Sequence, residues 1–139
     1  MQKPDIYKVC GMIVKNRRTL VARSIKDPTT FMTVSGKPEG DETELETLIR
    51  ELDEEVGITL SATNNPVKIG TYTQEAFNKP GKIAQIDAYV ITDYEGEPKP
   101  QAEIVDIRWV NSSEATTMDL ASVVKTRIIP DMAKQGLID

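Results

Sequence analysis

The segment from residue 41 to residue 57 is the most strongly specified element of the sequence. Apolar side chains recur there at the spacing of one helix face, at Leu45, Leu48, Ile49, Leu52 and Val56. Asp41 and Glu44 have the spacing of a capping box, so we expect Asp41 to cap a helix. Gly57 stands where a left-handed C-terminal cap belongs. The rest of the chain must therefore cover one face of an amphipathic helix.

Strands are predicted on both sides of this helix. Apolar runs bounded by turn residues indicate strands at residues 6–15, 19–22, 31–34, 67–73, 83–91 and 104–110. Residues 23–30, which contain an Asp-Pro pair, are predicted to form a loop, as are residues 94–100. Cys10 lies inside the first strand, where we expect it to be a small buried filler.

A second helix is predicted near the C-terminal end, over residues 120–134. Pro130 should interrupt it and Gly136 should end it. Ser112 or Ser113 is expected to cap the segment after the last strand. Strands combined with two helices indicate an α/β (α+β) chain with a mixed β-sheet between helices. No repeat or linker is evident, so all 139 residues are expected to form one domain.

Composition excludes several kinds of chemistry. The chain has no histidine, which excludes Ser-His and Cys-His catalysis and zinc sites that use histidine. Its one cysteine cannot form an internal disulfide and fits a reducing compartment. No apolar run approaches the ~20 residues of a membrane span. The first residues lack a hydrophobic signal region. We therefore expect a cytoplasmic monomer or homodimer that does not bind a membrane.

The acidic residues are concentrated in one block. The chain carries 22 acidic and 17 basic residues, a net charge of −5. Residues 39–55 hold nine acids and only one base, Arg50, so this block carries −8 and the rest of the chain +3. Because the remainder is only mildly basic, we expect no binding to duplex DNA. Helix geometry places Glu54 and Glu55 within about 60° of Glu51, on one face.

This crowding of carboxylates has two interpretations. Like charges at these spacings repel one another and weaken a helix, and the helix dipole disfavours them near its C-terminal end. A solvated acidic face is one interpretation, and a bound cation that offsets the repulsion is the other. Oxygen-only clusters suit Mg²⁺ or Mn²⁺. Because Mg²⁺ usually shares its coordination shell with substrate phosphates, the second interpretation predicts a phosphoryl or pyrophosphoryl substrate.

The loop before the helix completes a longer motif. From Gly36 the chain reads Gly, five residues, Glu42, seven residues, and then Arg-Glu-Leu-Asp-Glu-Glu-Val-Gly-Ile at 50–58. This matches the Nudix box, GX5EX7REUXEEXGU with U a bulky aliphatic residue, at every defined position. The chain thus resembles MutT-like Nudix hydrolases, with strands on either side of the box. It departs from the common pattern only outside the defined positions, at Ser35 and Asp41, where glycines are usual.

The resemblance implies a fold, a reaction and roles for the box residues. The fold would be an α/β/α sandwich, and the reaction the hydrolysis of a nucleoside diphosphate linked to another group. Glu51, Glu54 and Glu55 would bind or orient the divalent cations. Arg50 would hold these carboxylates in position, paired with Glu42.

Further metal ligands would come from outside the helix. The resemblance implies that the backbone carbonyl of Gly36 or Ser35 is one of them. Glu103, which precedes the strand containing Trp109, is the best outside candidate for a metal ligand or a general base, with a solvated loop acid as the alternative. Whether the base lies in the box or on a later loop stays open.

The box does not specify the substrate. The compact chain favours a MutT-like enzyme that converts nucleoside triphosphates, including oxidised ones, to a monophosphate and pyrophosphate. ADP-ribose, nucleotide sugars, dinucleoside polyphosphates or RNA ends are the alternative substrates, and a non-catalytic nucleotide sensor is a third possibility. Candidate substrate contacts, each with ordinary packing or surface exposure as its alternative, are Arg23, Lys37, Tyr72, Phe31, Phe77 and Asp119.

Overall fold

The computed structural model describes residues 3–76 and 79–139, and its elements lie within those ranges. The strands are β1 (Ile6–Lys15), β2 (Arg18–Ser24), β3 (Asp27–Met32), β4 (Val34–Gly36), β5 (Val67–Glu75), β6 (Ile83–Ile91) and β7 (Ile104–Val110). The helices are α1 (Glu44–Val56), α2 (Ser112–Ala115) and α3 (Ile129–Lys134), with a 3₁₀ turn at Ala62–Asn64 and a π-helical turn at Val124–Ile128. No helix formed by the described residues is long and apolar enough to cross a membrane.

Strand β1 joins the two halves of the sheet. The strand order is β3-β2-β1-β6-β5, with β4 paired to β1 and β7 paired to β2. β1 runs parallel to β6, from Ile6 opposite Ala84 to Ile13 opposite Ile91, and antiparallel to β2 and β4. The predicted mixed sheet is therefore confirmed.

Apolar cores cover both faces of the sheet. Along β1, Val9 and Ile13 belong to one core, whereas Cys10 and Met12 belong to the other, as the alternation of a strand requires. The first core includes Leu52 and the rest of the buried stripe of α1. The second core is completed by the C-terminal helical residues Val123, Val124, Ile128, Ile129 and Met132. The predicted sheet between helices is confirmed, and Cys10 is buried as expected.

Helix α1 begins later than predicted. Its N-cap is Thr43, whose hydroxyl accepts from the Glu46 N–H (3.1 Å), while the Glu46 carboxylate accepts from the Thr43 N–H (3.0 Å). The prediction that Asp41 caps the helix is wrong, because Thr43 and Glu46 offer the same capping-box spacing two residues later. The prediction for Gly57 is confirmed: it ends the helix with a left-handed φ of 70°.

The predicted loop at residues 23–30 is mostly strand. β2 continues to Ser24, and β3 begins at Asp27 and pairs with it in antiparallel fashion. Pro28 is tolerated because β3 lies at the edge of the sheet, where a missing N–H removes no ladder bond from a central strand. Strand pairing thus overrides the turn signal of the Asp-Pro pair. The strand predicted at residues 31–34 is divided between β3 and β4.

The cap of α2 also differs from the prediction. Its N-cap is Asn111 rather than Ser112 or Ser113. The Asn111 side chain accepts from the Glu114 N–H (2.8 Å), and the Glu114 carboxylate accepts from the Asn111 N–H (3.0 Å). This reciprocal pair needs an acid three residues after the cap, and that spacing selects Asn111.

The interruption of the C-terminal helix takes the form of a wide turn. The π-helical turn at Val124–Ile128 lies directly before α3, in which Pro130 occupies the first turn. Proline cannot donate to a carbonyl four residues back, and its ring presses on that carbonyl. A wider turn accommodates both effects. Gly136 follows the end of α3 with a φ of 77°, as predicted.

A buried polar network holds the first turn of α1 against the sheet. Asp87 on β6 is only 4% exposed and accepts from the Thr71 hydroxyl (2.7 Å). The Tyr7 hydroxyl lies 2.7 Å from Asp87 and 3.0 Å from Glu44, the first residue of α1. Glu44 also accepts from Tyr89 and Lys68. The network therefore fixes the start of the helix that carries the box glutamates.

Asp87→Asn is expected to destabilise the protein by about 1–3 kcal/mol, because a buried amide N–H₂ would face hydroxyl donors. Burial alone would raise the pKa of Asp87, but its hydrogen bonds outweigh burial and lower the pKa to about 2. A lowered pKa stabilises the fold above about pH 4, and the contribution is lost as the pH falls towards about 2. Urea unfolding from pH 7 to pH 2.5 should show the difference between variant and wild type shrinking below about pH 4. The exposed Asp93→Asn serves as the control, and an equal loss of stability there would contradict the role of Asp87.

Candidate active site

An ion pair organises the loop between β4 and α1. The Arg50 guanidinium donates to both Glu42 carboxylate oxygens, from Nε (2.8 Å) and from Nη2 (2.9 Å). Glu42 also accepts from the Glu39 N–H (2.9 Å). These hydrogen bonds, with Arg50 as the largest cause, lower the pKa of Glu42 to about 2. The carboxylate thus stays charged, and the loop is closed onto the helix.

Arg50 reaches two further parts of the box. It donates to the Lys37 carbonyl (3.0 Å) and to Glu51 Oε1 (2.6 Å), and it lies 3.5 Å from Glu54 Oε2. Only 18% of its side chain is exposed. Its fixed fork of N–H donors therefore orients Glu51 relative to Glu42 and to the loop backbone.

Glu51 lies directly against the backbone of Gly36. A Cβ placed on Gly36 would overlap the carboxyl group of Glu51. The glycine at the first position of the box is thus required by close approach rather than by an unusual φ. Gly36 belongs to β4, which pairs with β1, so this contact fixes the helix against the sheet.

Gly36→Ala is expected to reduce kcat roughly tenfold, since displacing a reacting group by about 1 Å can cost up to about 10²-fold. The added methyl must push Glu51 away from β4. Steady-state kinetics on the best substrate, with thermal unfolding beside it, measures both effects. Gly81→Ala is the control, because its Cβ would meet nothing within 4 Å although its φ of 80° disfavours alanine. Equal kcat values for Gly36→Ala and wild type would show that the contact between Gly36 and Glu51 does not contribute to catalysis.

The C-terminal end of α1 is fixed by the loop before β7. The Gln101 side chain donates to the Asp53 carbonyl (2.9 Å), and the Gln101 N–H donates to the Glu55 carbonyl (3.0 Å). Two residues later, Glu103 is held by an ion pair with Lys26 (2.9 Å). The loop thus brings Glu103 to the same end of the helix as Glu55.

Glu55 is the most buried of the three box glutamates. Its residue exposure is 8%, whereas 55% of the Glu54 side chain is exposed. Burial, and next the neighbouring Glu51 carboxylate, raise the pKa of Glu55 to about 9. Negative charge from Glu103 acts in the same direction. When other carboxylates raise the pKa of a buried carboxyl group, a nearby cation would stabilise the charged form of that group.

Two adjoining clefts open beside this cluster. The glutamate cleft, about 260 Å³, is lined by Glu55, Glu103, Lys26 and Ser24, among others. The apolar cleft, about 610 Å³, is lined mainly by small and apolar side chains, including Ile6, Ile86, Leu120, Val123 and Val124. Both clefts share the residues Lys8, Asp27, Met32, Thr33 and Ser35, which we call the junction. A ligand can therefore extend from the carboxylates into an apolar compartment.

The structure gathers most of the predicted box residues. Arg50 contacts both Glu51 and Glu54, and Glu55 and Glu103 line one cleft. Within residues 3–76 and 79–139, however, no three acidic side chains are already drawn together as they would be around a metal ion. Arg50 holds Glu51, so binding a cation requires side-chain rotation in the cluster.

The candidate substrate contacts are more dispersed. Arg23 stacks on Phe31 (5.3 Å) and pairs with Asp106 (3.3 Å), and Lys37 is exposed on the loop. Tyr72 is buried, and its hydroxyl donates to Asp131 (2.8 Å). Neither cleft includes Arg23, Lys37, Phe31 or Tyr72 among the described residues that line it. Asp119 does line the apolar cleft. Phe77 lies outside the described residues.

Lys8 is the cleft residue that sequence reasoning missed. It lies on β1 and lines both clefts. The available signal was a lysine at an alternating position of a strand that is otherwise buried on the same face, before Cys10 and Met12. Such a position needs a solvent-filled cleft or a partner for the charge.

A mixed sheet lies between helices, and glutamates ordered by Arg50 lie beside a cleft. The chain belongs to the Nudix family, because the family model described as NUDIX domain matches residues 7–132, and this membership makes it a pyrophosphohydrolase. No curated protein matches the chain significantly.

Solved structures share this fold along nearly the whole chain. The solution structure of the E. coli ORF135 protein has 25% sequence identity and a TM-score of 0.76, covering 94% of this chain and 90% of that one. The E. coli dihydroneopterin triphosphate pyrophosphohydrolase has 20% identity and a TM-score of 0.76, with 93% and 95% covered. A MutT NUDIX hydrolase from Burkholderia pseudomallei has 19% identity and a TM-score of 0.74, with 92% and 96% covered.

Proposed function

We propose that this enzyme hydrolyses nucleoside triphosphates, including oxidised ones, to a nucleoside monophosphate and pyrophosphate. The observation that carries the proposal is that the two clefts adjoin and share the residues of the junction. The glutamate cleft provides the chemistry for a charged phosphate chain, and the apolar cleft is large enough for a nucleoside. The similarity in fold to a dihydroneopterin triphosphate pyrophosphohydrolase supports a triphosphate substrate.

The cluster fits Mg²⁺ or Mn²⁺ as its cofactor. Its donors are all oxygens, and Glu55 is a buried carboxyl crowded by other carboxylates. Glu51, Glu54 and Glu55 would hold the ion, joined by a backbone carbonyl of Gly36 or Ser35. Glu103, which lines the same cleft as Glu55, is a further candidate ligand. When bound, the ion supplies charge neutralisation of the phosphates and a more acidic water.

The residues of the chain have separable tasks in this reaction. Arg50 keeps Glu51 in position, and the more exposed Glu54 would rotate towards the cleft from a longer ion pair with Arg50. A carboxylate must remove a proton from the attacking water. Glu103 would do this from the loop before β7, whereas a box glutamate would do it from the helix. The apolar cleft excludes water from the nucleoside and leaves the phosphates at the carboxylates.

Other substrates of the same reaction remain candidates for the test. ADP-ribose, nucleotide sugars and dinucleoside polyphosphates also join a nucleoside to a diphosphate and would use the same clefts. A nucleotide sensor on this fold usually lacks a box glutamate, whereas here every box glutamate and Arg50 are present.

The experiment is a substrate panel with Mg²⁺ in which the products are identified. Nucleoside triphosphates, ADP-ribose, a nucleotide sugar and a dinucleoside polyphosphate are each tested, and phosphate and pyrophosphate release are followed separately. Pyrophosphate together with a monophosphate is the expected result. Faster turnover of ADP-ribose or a dinucleoside polyphosphate would replace the triphosphate assignment. Nucleotide binding without hydrolysis of any panel member would favour a sensor.

A further inference from the structure

Lys8 occupies the junction of the two clefts. Its side chain lines both, together with Asp27, Thr33 and Ser35. Lys26 lines only the glutamate cleft, and Lys79 lines only the apolar cleft. A ligand with its anionic part at the glutamates and its nucleoside in the apolar cleft must pass Lys8.

Lys8 takes part in none of the ion pairs formed among the residues that the structure describes. The lysine ion pairs found within residues 3–76 and 79–139 are those of Lys15, Lys26, Lys68 and Lys82. Lys8 is half-buried on β1 and lines both clefts. Asp27, the acid of the junction, accepts hydrogen bonds from the Thr29 N–H (3.3 Å) and the Thr29 hydroxyl (2.9 Å).

The position of Lys8 relative to the glutamates separates it from the catalytic cluster. Lys8 and Glu55 line the same cleft. Lys8 nevertheless lies on the sheet, whereas the box glutamates lie on α1. The Lys8 ammonium group can therefore contact a phosphate of the ligand from the side opposite the glutamates.

We propose that Lys8 binds the phosphate that is attached directly to the nucleoside. The inference rests on the proposed function and deepens it, because it assigns an orientation to the substrate: the nucleoside in the apolar cleft, the first phosphate at the junction and the remaining phosphates at the glutamates. Lysine suits this role as a compact charge with rotatable donors. The same contact would hold the monophosphate product.

The test compares binding of a nucleoside with binding of its 5′-monophosphate. The base is that of the best panel substrate, or adenine if no panel member is hydrolysed, and calorimetry is done with Mg²⁺ present. In Lys8→Met the Kd of the monophosphate should rise about tenfold, as for the loss of one charge-assisted contact, while the Kd of the nucleoside stays unchanged. Lys8→Arg should restore most of the monophosphate affinity. In turnover, KM should rise more than kcat falls.

Lys99→Met is the matched control, because it removes the same charge from an exposed position that lines neither cleft. Equal weakening of monophosphate binding by Lys99→Met and Lys8→Met would overturn the inference in favour of a general electrostatic effect. Equal weakening of nucleoside and monophosphate by Lys8→Met would overturn it in favour of packing. An unchanged monophosphate Kd in Lys8→Met would overturn it directly. The proposed function fails separately, when the wild type hydrolyses no panel member, and the binding comparison still decides the role of Lys8.

Discussion

Glu55→Gln is expected to lower kcat by about 10²- to 10³-fold. The reason is that a correctly held metal ion contributes several kcal/mol of charge stabilisation, which the variant would lose. Without metal, the same variant should be at least as stable as wild type. Glu55 is buried against Glu51 and faces Glu103, so a neutral amide avoids the cost of a charge in that position. Activity and stability should therefore change in opposite directions.

The measurements are kcat with Mg²⁺ and the thermal midpoint with and without Mg²⁺. Wild type should gain stability with Mg²⁺, and Glu55→Gln should gain little, because a ligand that binds the folded state stabilises it in proportion to its affinity. Glu54→Gln should also lose activity. Asp53→Asn removes a charge from an exposed position of the same helix and should stay within about threefold of wild type, as surface changes usually do. A Glu55→Gln enzyme with wild-type kcat would exclude Glu55 from the metal site.

Arg50→Met is expected to reduce kcat/KM by about 10²-fold, the size of effect that a 1 Å displacement of reacting groups can produce. The guanidinium holds Glu42, Glu51 and the Lys37 carbonyl together, and methionine can hold none of them. Arg50→Lys should recover only part of the loss, because an ammonium group lacks the planar fork. Steady-state kinetics and urea unfolding on both variants measure the effect on the site and on the loop.

A double variant distinguishes positioning from simple charge balance. In Glu42→Gln/Arg50→Met the uncompensated charge of Glu42 is removed, so stability should recover relative to Arg50→Met while activity does not. Arg18→Met, which breaks the exposed pair with Glu114 (2.8 Å), is the control and should leave kcat/KM unchanged. Recovery of activity in the double variant would show that Arg50 acts only by balancing charge.

The helix and its glutamates could be predicted because they depend on local periodicity. The apolar stripe of α1 fixes which face is buried, and the three-residue and four-residue spacings fix Glu54 and Glu55 relative to Glu51. Gly57 ends the helix because its own φ requires a glycine. The first residue of the helix could not be predicted in the same way, because Asp41 and Thr43 both have an acid three residues later. Only the tertiary fold of the loop, with Glu42 bound to Arg50, selects Thr43.

The clefts could not be predicted because they are made by residues distant in the sequence. Lys8 and Glu103 line one cleft only when the sheet has placed β1 and the β6–β7 loop side by side. β3 was hidden for a similar reason: Asp27 and Pro28 favour a turn locally, and pairing with β2 overrides them. Arg23 and Tyr72 have side chains that could contact a nucleotide, yet their partners Asp106 and Asp131 lie far along the chain.

The central place of β1 has a consequence for synthesis on the ribosome. β1 pairs in parallel with β6, so the edge of β1 at Ile6 stays uncovered until Ala84 has left the ribosome. At about 5–20 residues per second, the wait is roughly 4–16 s. During this interval an apolar strand edge is exposed to other chains. Slower translation between β1 and β6 should therefore increase the demand for chaperones, although the finished protein would be unchanged.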